Sequence, residues 1–203
     1  VNSSEHQIFL MDGEELAGAK QNRVLNTSIL LKERSETTIP VSCTELGRWA
    51  YTSGDFHDSG AVMASRARSS KLRAVSGSLR GGRGHTSDQG QIWSEIDAMH
   101  AVGGTSSPTR AMRDIYTQKE EDLGGYRKSF ELVPDQQGCL VFINGEVAGL
   151  DILSLQSAYQ RIHPQLVQSY AVDALLQQPE KPQAPDSELI DRFLESALKC
   201  NGA

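Results

Sequence analysis

The order of apolar and polar positions predicts that the chain begins with short strands. Apolar runs at residues 8–11, 24–25 and 29–31 are bounded by turn signals. The last two runs flank a polar stretch, which predicts either a strand pair or one long strand with a bulge. Residues 37–43 are rich in β-branched side chains, and their proline, which cannot donate to a ladder, predicts an edge strand or a strand start. Residues 47–51 are predicted as a further short strand.

Helical spacing of apolar positions follows. A first helix is predicted over residues 63–80 and ends at the glycine-rich residues 81–84. A second helix begins near Ser87 or Asp88, which are both favourable N-cap residues, and stops at the glycine pair of residues 103–104. A third helix is predicted to open at Ser107 and Pro108 and to break near residues 124–125.

The clearest element is a β-hairpin. An Asn-Gly pair at residues 144–145 separates two apolar runs, residues 139–143 and 147–153, and this is the strongest short-range hairpin signal. Because both runs are almost continuously apolar, the hairpin is predicted to lie in the core.

These elements predict one α+β domain over residues 1–178. Its β-rich first part and later core hairpin are expected to pack against several helices, the last of them over residues 155–177, because no regular βαβ alternation is present. Residues 179–186 are predicted to form a stiff proline-rich linker. Residues 187–203 are predicted to form an amphipathic helix, which is a candidate surface for homo-oligomer formation.

Composition narrows the possible functions. The 203 residues are 38% apolar and 23% charged, which is ordinary for a globular protein, and the net charge of −6 argues against a dedicated nucleic-acid binder. No apolar run reaches the roughly 20 residues of a membrane span. The three cysteines (Cys43, Cys139 and Cys200) are odd in number and far apart, which favours a reducing, cytoplasmic location and no structural zinc site. Since Val1 is not a methionine, the native start is expected to lie further upstream.

The densest polar stretch spans residues 12–23. Its carboxylates Glu14 and Glu15 lie close in sequence to Lys20 and Arg23, and such charges can shift one another's pKa values for acid–base chemistry. Arg23 could also bind a phosphate or carboxylate with two hydrogen bonds. The alternative is a charged surface hairpin with solvated ends.

A second candidate group lies at residues 42–49. Cys43 is either a nucleophile close to Glu45 and Arg48 or a buried structural cysteine. Trp49 is either a stacking platform beside Arg48 or a core aromatic residue.

A basic stretch without acidic residues runs from residue 59 to residue 87. The arginines Arg66, Arg73 and Arg80 are seven positions apart, so one helix would place them on one face. Its remaining cations are Arg68, Lys71 and Arg83. The glycine loop that leads into the helix start at Asp88 is a candidate anion site; the alternative is a solvated basic face. If that helix start faces Glu14 and Glu15, the carboxylates could also surround a metal or a water.

Four segments together resemble the signature of an uncharacterised prokaryotic family. They are residues 11–28, 39–49, 87–93 and 169–174. The family is named for its association with ADP-ribosylglycohydrolases and rhodanese-phosphatase proteins, and the resemblance covers most of residues 5–177. It implies a link to ADP-ribose and NAD-linked metabolism.

Carried onto this chain, the resemblance implies one site that binds or hydrolyses an ADP-ribose-type or other phosphorylated nucleotide. The expected catalytic residues are Glu14, Glu15, Glu45 and Asn22, with either of the first two as general base. The expected ligand-binding residues are Lys20, Gln21, Arg23, Arg48, Trp49, Asp88 and Gln89. No cofactor or metal is assigned.

Two alternatives remain open. One is a non-catalytic binding or regulatory module that recognises a protein partner. The other is a structural domain, which would show buried, mutually hydrogen-bonded Glu, Asn and Arg side chains with no adjacent cavity.

Overall fold

A computed structural model describes residues 1–177 and 184–200. In chain order its elements are β1 (Ile8–Leu10), β2 (Glu14–Gly18), β3 (Arg23–Leu25), β4 (Ile29–Leu31), β5 (Val41–Cys43), β6 (Phe56–Val62), α1 (Ser65–Arg80), α2 (Gln89–Gly103), α3 (Met112–Gln118), α4 (Glu120–Ser129), β7 (Gly138–Ile143), β8 (Glu146–Ile152), α5 (Gln156–Leu176) and α6 (Ser187–Leu198). Strands precede most of the helices, so the predicted α+β class is confirmed.

The N-terminal strands form a four-stranded antiparallel sheet in the order β5-β3-β2-β6, beside a separate β1-β4 pair. The two runs that flank the polar stretch of residues 26–28 therefore do not pair with each other, because β3 joins β2 and β5 while β4 joins β1. Strand β5 follows Pro40 and lies at the edge of its sheet, as the missing proline donor predicted.

The loop around residues 47–51 is not a strand, contrary to the prediction. The Arg48 side chain instead holds this loop by donating hydrogen bonds to the carbonyls of Ala19 and Ala50. The sequence also failed to indicate β6, because its polar and apolar residues do not alternate regularly. Gly60 within this strand has a positive φ of +75°, which is typical of a β-bulge.

Helices α1, α2 and α5 lie where the apolar spacing predicted them. The third helix, however, begins at Met112 rather than at Pro108. The preceding residue, Ala111, forms an isolated bridge with Glu45, and Met112 donates its N–H to Thr44, so this segment is extended against the sheet. The break between α3 and α4 falls at Lys119, and the predicted glycine break at residues 124–125 lies inside α4.

The core lies between the four-stranded sheet and helices α1 to α5. Its larger cluster includes the fully buried side chains of Met63, Met112, Ile115 and Leu123. A smaller cluster around Tyr159 packs α5 against Met11 and Val62. The core therefore fixes α1, α2 and α5 relative to the sheet.

The hairpin β7-β8 forms as predicted, with Asn144 and Gly145 both at positive φ. It is not a core element, however, because every residue of β7 is only partly buried. The hairpin pairs with no other strand in the described residues. One face packs on α5, where Gly149 leaves room for the Tyr170 ring, and this one-sided packing explains the incomplete burial.

The C-terminal part is described only from residue 184 to residue 200. Helix α6 ends at Leu198 and none of its residues is buried. Most of the predicted proline-rich linker of residues 179–186, namely residues 179–183, lies outside the described residues. None of the helices in the described ranges combines the length and apolarity that a bilayer span requires.

Candidate functional site

The polar loops of the N-terminal sheet are tied together by one arginine. Arg48 donates through Nε to Glu45 Oε2 at 2.8 Å, through Nη1 to the Ala19 carbonyl at 2.8 Å, and through Nη2 to Asn22 Oδ1 at 3.0 Å. Asn22 Oδ1 also accepts from the Gly18 N–H. We call these five residues the Arg48 clamp. Because every guanidinium nitrogen has a protein partner, Arg48 has little capacity left for a phosphate.

Glu45 joins the clamp to a third segment. Its Oε1 accepts from Thr109 Oγ1 at 2.7 Å, and its Oε2 accepts from the Asn22 N–H at 3.2 Å. The Glu45 side chain is almost fully buried. Its lone pairs are therefore directed at protein donors, so that Glu45 and Asn22, both expected to be catalytic, connect loops in the structure.

The neighbouring polar side chains Gln21 and Lys20 also have partners within the protein. Gln21 is buried, donates to the Leu46 carbonyl at 3.3 Å, and accepts from Arg23 Nη1 at 3.1 Å. Lys20 is exposed, with its ammonium 5.2 Å from the centre of the Tyr51 ring. Lys20 is therefore the exposed member of this group, and its ammonium lies against an aromatic ring.

Glu14 and Glu15 are consecutive residues of β2, so their side chains point to opposite faces of the sheet. Glu15 is fully buried and accepts from Thr44 Oγ1 at 2.7 Å. Burial raises the pKa of Glu15 to about 7, and burial also raises the pKa of Glu14 to about 7. The two carboxylates therefore cannot serve one site as interchangeable bases.

The start of α2 is attached to the sheet edge. Gln89 accepts from the Cys43 N–H at 2.7 Å and donates to the Cys43 carbonyl at 2.8 Å, so its amide pairs with β5 much as a neighbouring strand would. Asp88 caps α2 by accepting from the Gln91 N–H at 3.0 Å. Asp88 therefore already supplies a negative charge at the helix end that the sequence suggested as an anion site. Trp49 is 70% exposed and is not a core residue.

Several of these residues are buried and hydrogen-bonded to one another, as the structural alternative expects, although Glu15 Oε2 has no hydrogen-bond partner among the described residues. None of them lines the three cavities described below. Across residues 1–177 and 184–200, no three His, Cys, Asp or Glu side chains are grouped so that they could hold a metal ion. The expected grouping of Asp88 with Glu14 and Glu15 is thus not found.

A cleft lies elsewhere, between α1, α2, α5 and the turn of the β7-β8 hairpin. Its polar lobe has a volume of about 590 Å³. Its charged and hydroxyl-bearing lining side chains are Ser65, Arg66, Ser69, Ser70, Arg73, Glu95, Glu146 and Asp173. It therefore presents cations, carboxylates and hydroxyls to one cavity that is open to solvent.

An apolar lobe of about 290 Å³ adjoins it. Its apolar walls come from Ala67, Ala98, Met99, Val102 and Leu176. Arg66, Glu95, Asp173 and Gln177 line both lobes, and we call them the junction residues. The two lobes thus share these wall residues, and together we call them the α1–α5 cleft.

The charged groups of this cleft differ from those of the Arg48 clamp. Arg66 and Arg73 are exposed and form no ion pair with other described residues. Glu95 Oε1 accepts from Gln91 Nε2 at 3.2 Å, while its buried Oε2 has no hydrogen-bond partner among the described residues. Burial raises the pKa of Glu95, and the charge of Asp173 adds to that effect.

Asp173 anchors the start of α1 to α5. Its Oδ2 accepts from Ser65 Oγ at 2.5 Å and from the Arg66 N–H at 2.7 Å. Burial raises the pKa of Asp173, while these hydrogen bonds act in the opposite direction. The two contacts hold the Asp173 carboxylate in a fixed position beside Arg66.

The basic stretch divides into an exposed and a buried half. Arg66, Arg73 and Arg80 lie exposed along α1, as their spacing predicted, but Arg68 and Lys71 are buried. The interpretation of these two as a solvated face is therefore wrong. Helix α1 turns them toward the core because they lie between the exposed positions.

A buried charge network accounts for these two cations. Arg68 donates to both carboxylate oxygens of Asp151 at 2.6 and 2.7 Å, and Tyr170 donates to Asp151 Oδ2 at 2.6 Å. Lys71 donates to the Leu25 carbonyl and lies 3.8 Å from Asp12 Oδ2. Burial lowers the pKa of Lys71 to about 8. The network joins α1 to β8, α5 and the sheet.

A third cavity lies on the other side of α5. It has a volume of about 350 Å³ and is lined mainly by apolar side chains of β7, α4 and α5, including Tyr126, Val141 and Val167. The half-buried Cys139 also lines it, and burial raises the pKa of that thiol. A protonated thiol is a poor nucleophile.

The chain was compared with protein-family models, curated proteins and solved structures. The model of the ARG and Rhodanese-Phosphatase-superfamily-associated Protein domain (ARPP-1) matches residues 1–202. This match extends past the segment of residues 5–177 on which the resemblance rests and includes α6. No curated protein and no solved structure gave a significant match. Because the family model matches nearly the whole sequence, the chain belongs to the ARPP-1 family, whose name associates it with ADP-ribosylglycohydrolase and rhodanese-phosphatase proteins.

Proposed function

We propose that this protein binds an ADP-ribose-type or other phosphorylated nucleotide ligand in the α1–α5 cleft. The observation that carries the proposal is that a polar lobe, with two arginines that form no ion pair within the described part of the chain, adjoins an apolar lobe. Ligand sites of small molecules commonly have volumes of roughly 300–1,000 Å³. The combined cleft falls within the range that a nucleotide needs.

The polar lobe suits the phosphates. Arg66 and Arg73 are one helical heptad apart on α1, so their guanidinium groups lie on the same face. Arginine binds phosphate oxygens through paired, charge-assisted hydrogen bonds. The hydroxyls of Ser69 and Ser70 line the same lobe and supply neutral donors.

The apolar lobe suits the base. Met99, Val102 and Leu176 present aliphatic and thioether surface to it. Val102 is 67% exposed, so covering it with a flat base removes apolar surface from water and is favourable. The order of the two lobes thus matches a ligand with an apolar base at one end and charged phosphates at the other.

Isothermal titration calorimetry of the full chain with ADP-ribose tests this proposal. We expect saturable binding, and we expect Arg66→Ala to weaken it at least tenfold because a charged phosphate contact is lost. Arg80→Ala is the matched control, since it removes the same charge from an exposed position of the same helix outside the cleft. Absence of binding at millimolar ADP-ribose, or equal affinity of all three proteins, would contradict the proposal.

A cytoplasmic location is part of the proposal. The cysteines Cys43, Cys139 and Cys200 are all free, and unpaired cysteines fit a reducing compartment. Fractionation of cells that express the native protein checks this expectation.

One observation favours a second role in partner recognition. Helix α6 has an apolar face that includes Ile190, Phe193 and Leu194, yet none of its residues is buried. A second copy of the chain would cover this face and form a homo-oligomer. Light scattering of the wild type and of Phe193→Glu tests this role: a change from dimer to monomer supports it, and a monomeric wild type contradicts it.

A further inference from the structure

The third cavity is a groove whose walls are mostly apolar. It has a volume of about 350 Å³ and is formed by α4, β7, α5 and the segment between α4 and β7. We call it the α4–β7 groove. Helix α5 contributes one stripe of side chains to it, at His163, Val167, Ala171 and Ala174, and a helical stripe of this length extends over about 16 Å. No residue of α6 lines the groove.

Apolar side chains of this groove are exposed to solvent. Phe130 is 59% exposed and Val133 is 58% exposed, and both line the groove. The Phe130 ring stacks on Tyr126, with 6.3 Å between the ring centroids. Exposed apolar side chains that cluster on one surface are typical of a site where another molecule binds.

Helix α6 has the length and the pattern that such a groove accepts. Ile190, Phe193, Leu194 and Ala197 lie at positions i, i+3, i+4 and i+7, so they form one apolar stripe, and none of the residues of α6 is buried. The 12 residues of α6 span about 18 Å, close to the length of the α5 stripe. The residues on the opposite face, which stay in water when the stripe is covered, are Glu188, Arg192, Glu195 and Lys199.

From this match we propose that α6 of a second copy of the chain lies in the α4–β7 groove. The inference rests on the second role proposed above, a homo-oligomer that forms through α6, and it names the surface that receives the helix. Docking of an amphipathic helix into an apolar groove is a common mode of recognition. Within one chain the groove and the apolar stripe do not cover each other, so each remains available to a second copy.

Reciprocal exchange would satisfy both surfaces at once. Two copies related by a twofold axis place two helices in two grooves and form a closed dimer. The exchange doubles the buried area, which brings it closer to the roughly 1,200–2,000 Å² of stable interfaces. Residues 177–186 connect α5 to α6, and a connection of this length can reach up to about 30 Å, far enough to extend to a neighbouring copy.

Light scattering of the full chain over a range of concentrations tests the proposal. Phe130→Glu in the groove and Phe193→Glu on α6 should each raise the dimer dissociation constant at least tenfold, because docking would bury the new carboxylate without a partner. Val133→Glu is a second groove variant at an exposed position, and circular dichroism checks that all variants fold. Leu30→Glu is the matched control, since Leu30 is 60% exposed and lies on β4 outside the groove; it should keep the wild-type constant.

A mixture of Phe130→Glu and Phe193→Glu tests the exchange itself. Neither variant alone can form an unaltered contact, but a mixed dimer combines the intact helix of one chain with the intact groove of the other. The mixture should therefore associate more strongly than either variant alone and more weakly than the wild type.

Each other outcome overturns a defined part of the proposal. A monomeric wild type overturns both the second role and this inference. A dimer that is lost in Phe193→Glu but kept in Phe130→Glu and Val133→Glu overturns the groove as the receiving surface and leaves the second role intact. A mixture that associates no better than its components overturns the exchange of α6 between copies.

Discussion

The Arg48 clamp and the α1–α5 cleft both contain arginine and glutamate side chains. These side chains differ in how many of their polar atoms have hydrogen-bond or ion-pair partners. In the clamp, Arg48 and Glu45 direct their polar atoms at protein partners. In the cleft, Arg66 and Arg73 have no ion-pair partner among the described residues, and Glu95 keeps an unpartnered oxygen. The clamp is therefore suited to hold loops together, and the cleft is suited to bind a ligand.

This difference shows that polar density along a sequence does not locate a site. A buried polar group costs free energy unless it is hydrogen-bonded. A segment dense in polar residues can therefore occur because its side chains form hydrogen bonds with one another. Polar atoms without a protein partner beside a cavity are a better indication of a binding site. Such an arrangement requires several segments that are distant in sequence.

The largest effect should follow from breaking the clamp. Arg48→Ala leaves the buried Glu45 carboxylate without its cation, and loss of one partner of a buried ion pair costs about 3–5 kcal/mol. The free energy of unfolding from urea titration measures this. Arg34→Ala, which breaks an exposed pair with Glu5, should cost about 1 kcal/mol or less. Equal losses in the two variants would show that the clamp is not a special stabilising element.

A slightly smaller effect is expected from pH. Burial raises the pKa of Glu15 from 4.5 to about 7, so between these values the folded state keeps a proton that the unfolded state has released. The free energy of unfolding should therefore fall by about 3 kcal/mol as pH rises from below 4.5 to above 7.

Glu15→Gln should remove this contribution, because glutamine does not titrate and still accepts from Thr44. Urea titrations of both proteins at pH 5 and pH 8 check the expectation. At pH 8 the variant should have a higher free energy of unfolding than the wild type. If the free energy of unfolding of both proteins depends on pH in the same way, Glu15 does not titrate in this range.

Ligand binding should respond in the cleft and not in the clamp. Arg73→Ala should weaken ADP-ribose binding about tenfold, or about 1.4 kcal/mol, with little change in unfolding free energy because Arg73 is exposed. Arg23→Ala is the comparison variant, since Arg23 belongs to the polar cluster of the N-terminal sheet. If calorimetry shows that Arg23→Ala loses more ADP-ribose affinity than Arg73→Ala, the binding site lies in that polar cluster and not in the cleft.

The smallest effect concerns the N-cap of α2. Asp88→Ala removes the acceptor for the Gln91 N–H and should lower the unfolding free energy by about 1 kcal/mol. Asp88→Asn keeps an acceptor and should restore most of the loss. A change in ADP-ribose affinity in either variant, with stability unchanged, would contradict the capping role.

Local signals in the sequence predicted much of the fold. Asn144-Gly145 predicted the hairpin because both residues tolerate positive φ, Asp88 predicted the start of α2, and Pro40 predicted an edge strand. Each of these rules depends on a few neighbouring residues. The prediction that the hairpin lies in the core was wrong, because burial of a hairpin depends on what packs against its second face.

The cleft could not be predicted in the same way. Ser65 and Asp173, whose side chains meet in it, are 108 positions apart. Glu95 lies in an ordinary helical pattern that gives no indication of an unpartnered oxygen. Likewise, the satisfaction of Arg48 depends on carbonyls about 30 residues away. Only the tertiary structure distinguishes the saturated cluster from the open one.

The most direct test of this distinction is to map ADP-ribose binding by nuclear magnetic resonance on the ¹⁵N-labelled full chain. We expect the amide signals that shift on titration to belong mainly to the first turns of α1, to the surroundings of Glu95 and to the end of α5 near Asp173. Signals of residues 14–23 and 45–49 should stay unchanged. Shifts concentrated in those two segments, with the α1–α5 cleft unaffected, would contradict the account.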